Sequence, residues 1–250
     1  MDIRKAAVLF ILVVATVSCA PTMRVDKKKD AGVHYDLGVI HLSERRFPDA
    51  LKELTAAVEI DPSEPTHHNA LGLAYFGKKM YSEAILSFEK AVALDGKFME
   101  AHMNLGAAYT EIKEWDRAIT EFHVVRDDIF YKTPELAHNN IGWALYNKRE
   151  YKAAVRSYRK AVELNPEYSM AYNNMGMAYD KMEKYDEAEE ALAIAVKISP
   201  LFVEAHYNHG LALIHKKDNK GARRAFQAVV NLAPQSDMGR SAKEYINLLK

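Results

Sequence analysis

The sequence predicts an all-α solenoid in which six helix-turn-helix repeats stack in a row and a C-terminal helix caps the end. Three periodic features carry this expectation. Six glycines, Gly38, Gly72, Gly106, Gly142, Gly176 and Gly210, recur at intervals of 34, 34, 36, 34 and 34 residues. A fixed period of that size marks a chain of repeated supersecondary units. Twelve residues after each glycine stands an alanine, at Ala50, Ala84, Ala118, Ala154, Ala188 and Ala222, and small residues in register predict a close helix crossing within each unit. Four units end on a proline at one place, Pro62, Pro166, Pro200 and Pro234, where a helix has to stop.

The first segment, 1–18, reads as a signal peptide. Arg4 and Lys5 precede an uncharged, mostly apolar run from Ala6 to Val17, followed by Ser18-Cys19-Ala20. Twelve residues are too few for a permanent membrane-spanning helix, which needs about 20, and the layout is that of a secretory signal. Because the small-residue site ends in the chain's one cysteine, it resembles the bacterial lipoprotein signal. That resemblance implies lipidation of Cys19, which becomes the new N-terminus, and Ala20 after it implies sorting to the outer membrane. The alternatives are an ordinary cleaved signal with a chance cysteine, or an uncleaved anchor. Residues 19–30, with Lys27-Lys28-Lys29, read as a lipidated, solvated tether between lipid and first repeat; the lysines also suit anionic head groups.

The six repeats span 31–64, 65–98, 99–134, 135–168, 169–202 and 203–234. Within the fifth, Tyr172, Met175, Gly176 and Tyr179 recur at helical spacing, predicting a first helix from Ser169 to Met182 and a second from Tyr185 to Ser199. Asp186 and Glu187 open that second helix and Lys197 lies near its end, as the helix dipole favours. An aromatic stands three residues before the alanine in five units, at Phe47, Tyr81, Trp115, Tyr151 and Tyr185. The third unit carries two extra residues in the run Arg126 to Pro134, and the sixth has Asn219 in place of the aromatic. Beyond Pro234, the segment 235–250 reads as the capping helix, with Ala242, Tyr245, Ile246 and Leu249 turned toward the last hairpin.

Composition narrows function. The chain has 34 basic and 34 acidic side chains. Loss of 1–18 removes two bases and one acid, leaving 32 and 33. This balance, without a basic stripe on any one helix face, argues against nucleic-acid binding. His34, His68, His102, His138 and His206 share one repeat position, but equivalent positions are displaced by a whole repeat and cannot converge on one metal. They are read as a packing ladder, and His206 with His209 as too few ligands for a metal site. Asn104, Asn140, Asn174 and Asn208 form a second ladder, read as structural hydrogen bonding. No catalytic constellation, clustered glycine loop or cofactor motif is present, so the chain is read as non-enzymatic, without cofactor or small-molecule substrate.

These phrases, such as Asn-Leu-Gly-Ala-Ala-Tyr around Gly106, resemble the tetratricopeptide repeat. The resemblance implies a right-handed superhelical solenoid whose concave groove, lined by the first helix of each unit, binds protein. Carried onto this chain, the lining positions are Tyr35, Val39 and Leu42; Asn69, Leu73 and Phe76; Met103, Ala107 and Thr110; Asn139, Trp143 and Tyr146; Met170, Asn173 and Met177; and Tyr207, Leu211 and Ile214. About half are expected to face solvent, with Trp143 and Tyr146 as anchors. Lysine is missing from these positions, so the groove lacks the carboxylate clamp of the co-chaperone branch. It is expected to be apolar with asparagines at its edges, suited to an amphipathic or extended hydrophobic segment. A lipoprotein signal, a tether and six repeats, together with the junction Phe130 to Gly142, resemble the type IV pilus biogenesis lipoproteins, or pilotins. This implies a scaffold on the periplasmic face of the outer membrane with a secretin subunit as partner. A general periplasmic scaffold of another envelope assembly or export machine is the alternative.

Overall fold

A computed structural model describes the backbone of residues 21–249 and the side chains from residue 28. The expectations for 1–18, Cys19 and Ala20 lie outside the described residues. Thirteen helices follow one another among the described residues, with no strand. The first three hairpins are α1 (Pro21–Ser43) with α2 (Phe47–Ile60), α3 (Pro65–Gly77) with α4 (Tyr81–Leu94), and α5 (Met99–Glu111) with α6 (Trp115–Asp127). The next three are α7 (Pro134–Asn147) with α8 (Tyr151–Leu164), α9 (Ser169–Lys181) with α10 (Tyr185–Ile198), and α11 (Val203–His215) with α12 (Asn219–Leu232). The final helix, α13 (Asp237–Leu248), lies against α12 as a cap. No described helix is long and apolar enough to cross a membrane.

Each helix packs on its chain neighbours, and the first helices of successive units also touch one another, whereas second helices of successive units do not. The array therefore curves with the first helices on its inner face. The core is a strip of clusters handed from unit to unit, as expected for a solenoid.

The repeated small residues work differently from a simple glycine-on-alanine crossing. All six alanines of the ladder are fully buried. The glycines, however, face the large side chain sixteen residues on: Leu54, Phe88, Phe122, Tyr158, Leu192 and Phe226. A Cβ at Gly106 would lie 2.5 Å from a ring carbon of Phe122, well inside the ~3.5–4.0 Å of carbon–carbon contact. The first helix thus gives up a side chain so that the second can bury one.

Six turns between paired helices share a left-handed residue, and none is glycine: Arg45, Lys79, Lys113, Arg149, Glu183 and Lys217 have φ between 57° and 64°. At Lys79 the turn closes with its own N–H donating to the Phe76 carbonyl (2.8 Å) and that of Met80 to the Tyr75 carbonyl (3.0 Å). These bonds satisfy helix-end carbonyls in the Schellman pattern.

One region departs from the sequence reading, and the expected insertion is absorbed in a loop. The helix α1 begins at Pro21, so residues 21–30, expected as a tether, continue the first repeat's helix; Pro21 suits a first helical position and nothing from 22 to 31 breaks a helix. The two extra residues of the third unit lengthen the loop 128–133 and leave both helices in register. Tyr131 turns inward onto Met99, Val125 and Ala137, while Ile129 and Phe130 stand 87% and 84% exposed.

Candidate protein-binding groove

On the inner face the asparagines form one polarised chain. The side-chain amide of Asn208 donates to the Asn173 carbonyl oxygen (2.9 Å), Asn173 to Asn174 (3.2 Å), Asn174 to Asn139 (3.0 Å) and Asn139 to Asn140 (3.4 Å). An amide suits this relay because it both donates and accepts, and pairing offsets the cost of burying it. A separate link joins Asn104 to Asn69 at 2.9 Å. Between the two stands Met103, at the repeat position that Asn69, Asn139 and Asn173 hold in their units, so the chain ends at Asn140. Asn69, Asn139 and Asn173 are buried. Asparagines therefore form the floor of the groove and not its edges, because their amides satisfy one another between neighbouring first helices.

Beside this floor, helices α7, α9 and α11 with the start of α13 enclose a cleft of about 490 Å³. Trp143, Met170, Met177, Phe202 and Met238 supply its apolar walls, and Glu204 is its one carboxylate. Trp143 stacks on Tyr146 with ring centroids 5.7 Å apart and planes 9° from parallel. The cleft offers a flat aromatic face, three flexible thioethers and the Asn140 amide, a combination that holds an apolar side chain and a peptide group together.

Of the eighteen groove positions singled out by sequence, Asn69, Asn139 and Asn173 form the buried floor, Ala107 and Thr110 are half-buried, and the other thirteen divide into three groups. Val39, Leu73 and Met170 are exposed, and half-buried Trp143 and Met177 line the cleft. Tyr35, Leu42, Phe76, Met103, Tyr146, Tyr207, Leu211 and Ile214 pack against the core clusters. Tyr146 is accordingly a backing for Trp143, held by an edge contact with Tyr151 at 5.4 Å, and burial pushes its hydroxyl pKa up. Tyr207, Leu211 and Ile214 pack in the same cluster as Tyr245, Ile246 and Leu249 from the C-terminal end. Sequence reasoning missed Phe202 and Met238. The aromatic just before the first helix, repeated as Phe98, Tyr168 and Phe202, was a signal that could have found the former.

At four of its five members the histidine ladder is a bonding position rather than simple packing. Ring nitrogens of His68 and His206 each lie 2.9 Å from the carbonyl oxygen six residues back, at Pro62 and Pro200. Those of His34 and His102 lie 2.7 and 2.6 Å from the carboxylates of Glu53 and Glu121. The Glu121 bond holds the His102 pKa above its ordinary value against the opposing effect of burial. His209, which faces Glu189 at 3.4 Å, is instead pushed down by burial. Among the described residues no group of three or more His, Cys, Asp or Glu converges as a metal site.

The comparisons agree with this architecture. Tetratricopeptide repeat models match residues 35–97, 69–127 and 173–237, and another matches 136–168. No curated protein matches the chain significantly in sequence. Among solved structures, PilF of Pseudomonas aeruginosa superposes with a TM-score of 0.73 at 19% identity, over 88% of this chain and 99% of that one. PilW, described as a widely conserved type IV pilus biogenesis factor, superposes with a TM-score of 0.78 at 14% identity, over 85% and 98%. YrrB, a repeat protein described as having an unusual peptide-binding site, gives 0.56 at 20% identity over 76% and 97%. With repeat models covering more than half of its length and a matching solenoid, the chain belongs to the tetratricopeptide repeat family, a non-catalytic scaffold for binding other proteins.

Proposed function

We propose that this scaffold is a lipid-anchored pilotin, held on the periplasmic face of the outer membrane through Cys19, that carries a secretin subunit to its assembly site during type IV pilus biogenesis. The observation that carries the reading is the end-to-end likeness in fold to PilF and PilW, 99% and 98% of whose chains are covered, in a chain whose start reads as a lipoprotein signal. The cleft at Trp143, Met170 and Met177 fits the role, because a secretin segment awaiting membrane insertion presents apolar side chains that need cover in water.

The test uses secretin multimers resolved on unheated gels from wild-type, deletion and variant strains. Trp143→Ala with Met170→Ala removes one wall of the cleft, and truncating a central aromatic anchor weakens binding by about 2 kcal/mol or more. Both side chains are partly open to solvent, so the fold should persist while unassembled secretin accumulates. Cys19→Ser should leave the groove intact and mislocalise the chain. Normal multimers in the deletion strain would refute the pilotin role and leave a general envelope scaffold.

A further inference from the structure

Away from the groove, helices α6, α7 and α8 enclose a cavity of about 270 Å³ whose polar lining is His123, Arg126, His138, Arg156, Ser157 and Lys160. No carboxylate lines it. The expectation that no helix face carries a basic stripe fails at α8, where Lys152, Arg156, Arg159 and Lys160 recur at i, i+4, i+7 and i+8 against Glu163 alone. The nearby acids are all engaged, two of them by Arg126 and Lys160 at the cavity's own rim. Asp127 forms a two-point pair with Arg126 at 2.7 and 2.8 Å, Glu163 accepts from Lys160 at 3.2 Å, Glu121 bonds His102, and Glu135 accepts from Asn165. Arg156 has no carboxylate within 4 Å among the described residues.

Two local changes in the repeat create the site. In units one and three the ladder histidine bonds a glutamate nineteen residues on, His34 with Glu53 and His102 with Glu121. In unit four that glutamate is Ser157. Elsewhere the ladder histidine also meets a carbonyl six residues back, but the two-residue insertion alters the loop before His138. Of the ten histidines, His123 and His138 have neither a hydrogen bond nor a carboxylate within 4 Å among the described residues. Burial foremost, with Arg126 beside both rings and Lys160 near His138, lowers their pKa values.

We propose that this cavity binds a phosphate-class oxyanion, through His123, His138, Arg156 and the Ser157 hydroxyl, with Arg126 and Lys160 at its rim. A single glutamate satisfies one histidine in units one and three. Here His123, His138 and Arg156, none paired with a carboxylate, converge with a hydroxyl, and the paired Arg126 and Lys160 stand at the rim, which suits a doubly charged tetrahedral group with several acceptor oxygens. Inorganic phosphate and the phosphomonoester headgroup of a lipid share that chemistry.

The test follows the imidazole resonances of the full chain by NMR during titration with inorganic phosphate. In parallel, phosphatidic acid in phosphatidylcholine vesicles is compared with phosphatidylcholine alone, so that any lipid anchor contributes equally to both. Binding should raise the pKa of His123 and His138 and leave the His34 imidazole resonances in place. Ser157→Glu, which recreates the internal pair of units one and three, should weaken binding at least tenfold. Arg156→Gln, on an exposed position that cannot unfold the chain, should weaken it severalfold. A response to phosphate in solution identifies the free anion, and a response to phosphatidic acid alone identifies the lipid headgroup. Silence of both histidines toward both ligands, or binding that survives Ser157→Glu and Arg156→Gln unchanged, would overturn the proposal.

Discussion

Replacing Gly142 with alanine tests the packing rule on which the solenoid rests. A Cβ there would lie 2.6 Å from Cε1, 2.7 Å from Cδ1 and 3.0 Å from Cζ of Tyr158. Ordinary contact between carbons is ~3.5–4.0 Å, so the ring must retreat by roughly 1 Å. It has little room, because Tyr158 is fully buried. Overpacking of this kind costs about 1–3 kcal/mol, against a helix-propensity gain of about 0.5–1 kcal/mol for replacing glycine. The chain supplies its own control in Gly32 of α1, where an added Cβ meets nothing within 4 Å; Gly32→Ala should show the propensity gain alone. Urea unfolding followed by far-ultraviolet circular dichroism should then separate the two variants by about 1–3 kcal/mol. Adding Tyr158→Ala should remove the clash, so the double variant should be less destabilised than the two single losses combined. If Gly142→Ala unfolds at the same urea concentration as Gly32→Ala, the glycines are not the close-contact positions argued here.

Four further outcomes follow from the same structure. The Tyr158 hydroxyl is buried without a hydrogen-bond partner among the described residues, and units two, three and six place Phe88, Phe122 and Phe226 there; Tyr158→Phe should stabilise by about 1 kcal/mol, and a loss in thermal unfolding would reveal a missed partner. Lys113 holds φ at 63°, so Lys113→Gly should gain up to about 1 kcal/mol and Lys113→Val should lose stability. The raised pKa of His102, caused first by Glu121, means its stabilisation is complete below the unfolded value of about 6.5 and fades as pH rises through the higher folded value. His102→Gln should therefore be more damaging at pH 5.5 than at pH 9, and equal damage at both would sink the argument. His138, held low by burial and then by Arg126 and Lys160, has the opposite sign: the folded chain loses stability as pH falls below about 6.5, and His138→Gln should be spared that loss.

The architecture was legible in the residues because a solenoid repeats its local instructions. The spacing of Gly38 through Gly210 set the number of units, the prolines and Asp186-Glu187 placed helix ends within a residue or two, and Ala242 marked the capping helix. What glycine faces was not legible, since Leu54 or Tyr158 meets it across a hairpin, and a period along the chain does not say which side chain crosses the gap. The left-handed turns at Arg45 through Lys217 were also hidden, because lysine, arginine and glutamate do not advertise positive φ as glycine does. In the groove, the sequence named positions but not their fate. Tyr207, Leu211 and Ile214 became packing when the C-terminal segment met them, while Trp143 and Met177 were left beside open space. Asn140 ends the amide relay because the unit before it carries Met103, and the basic cavity exists because Ser157 stands where units one and three carry a glutamate, beside an inserted loop. Repetition along the chain specified the scaffold; exceptions to it became sites only when tertiary packing set one unit's departure against its neighbour.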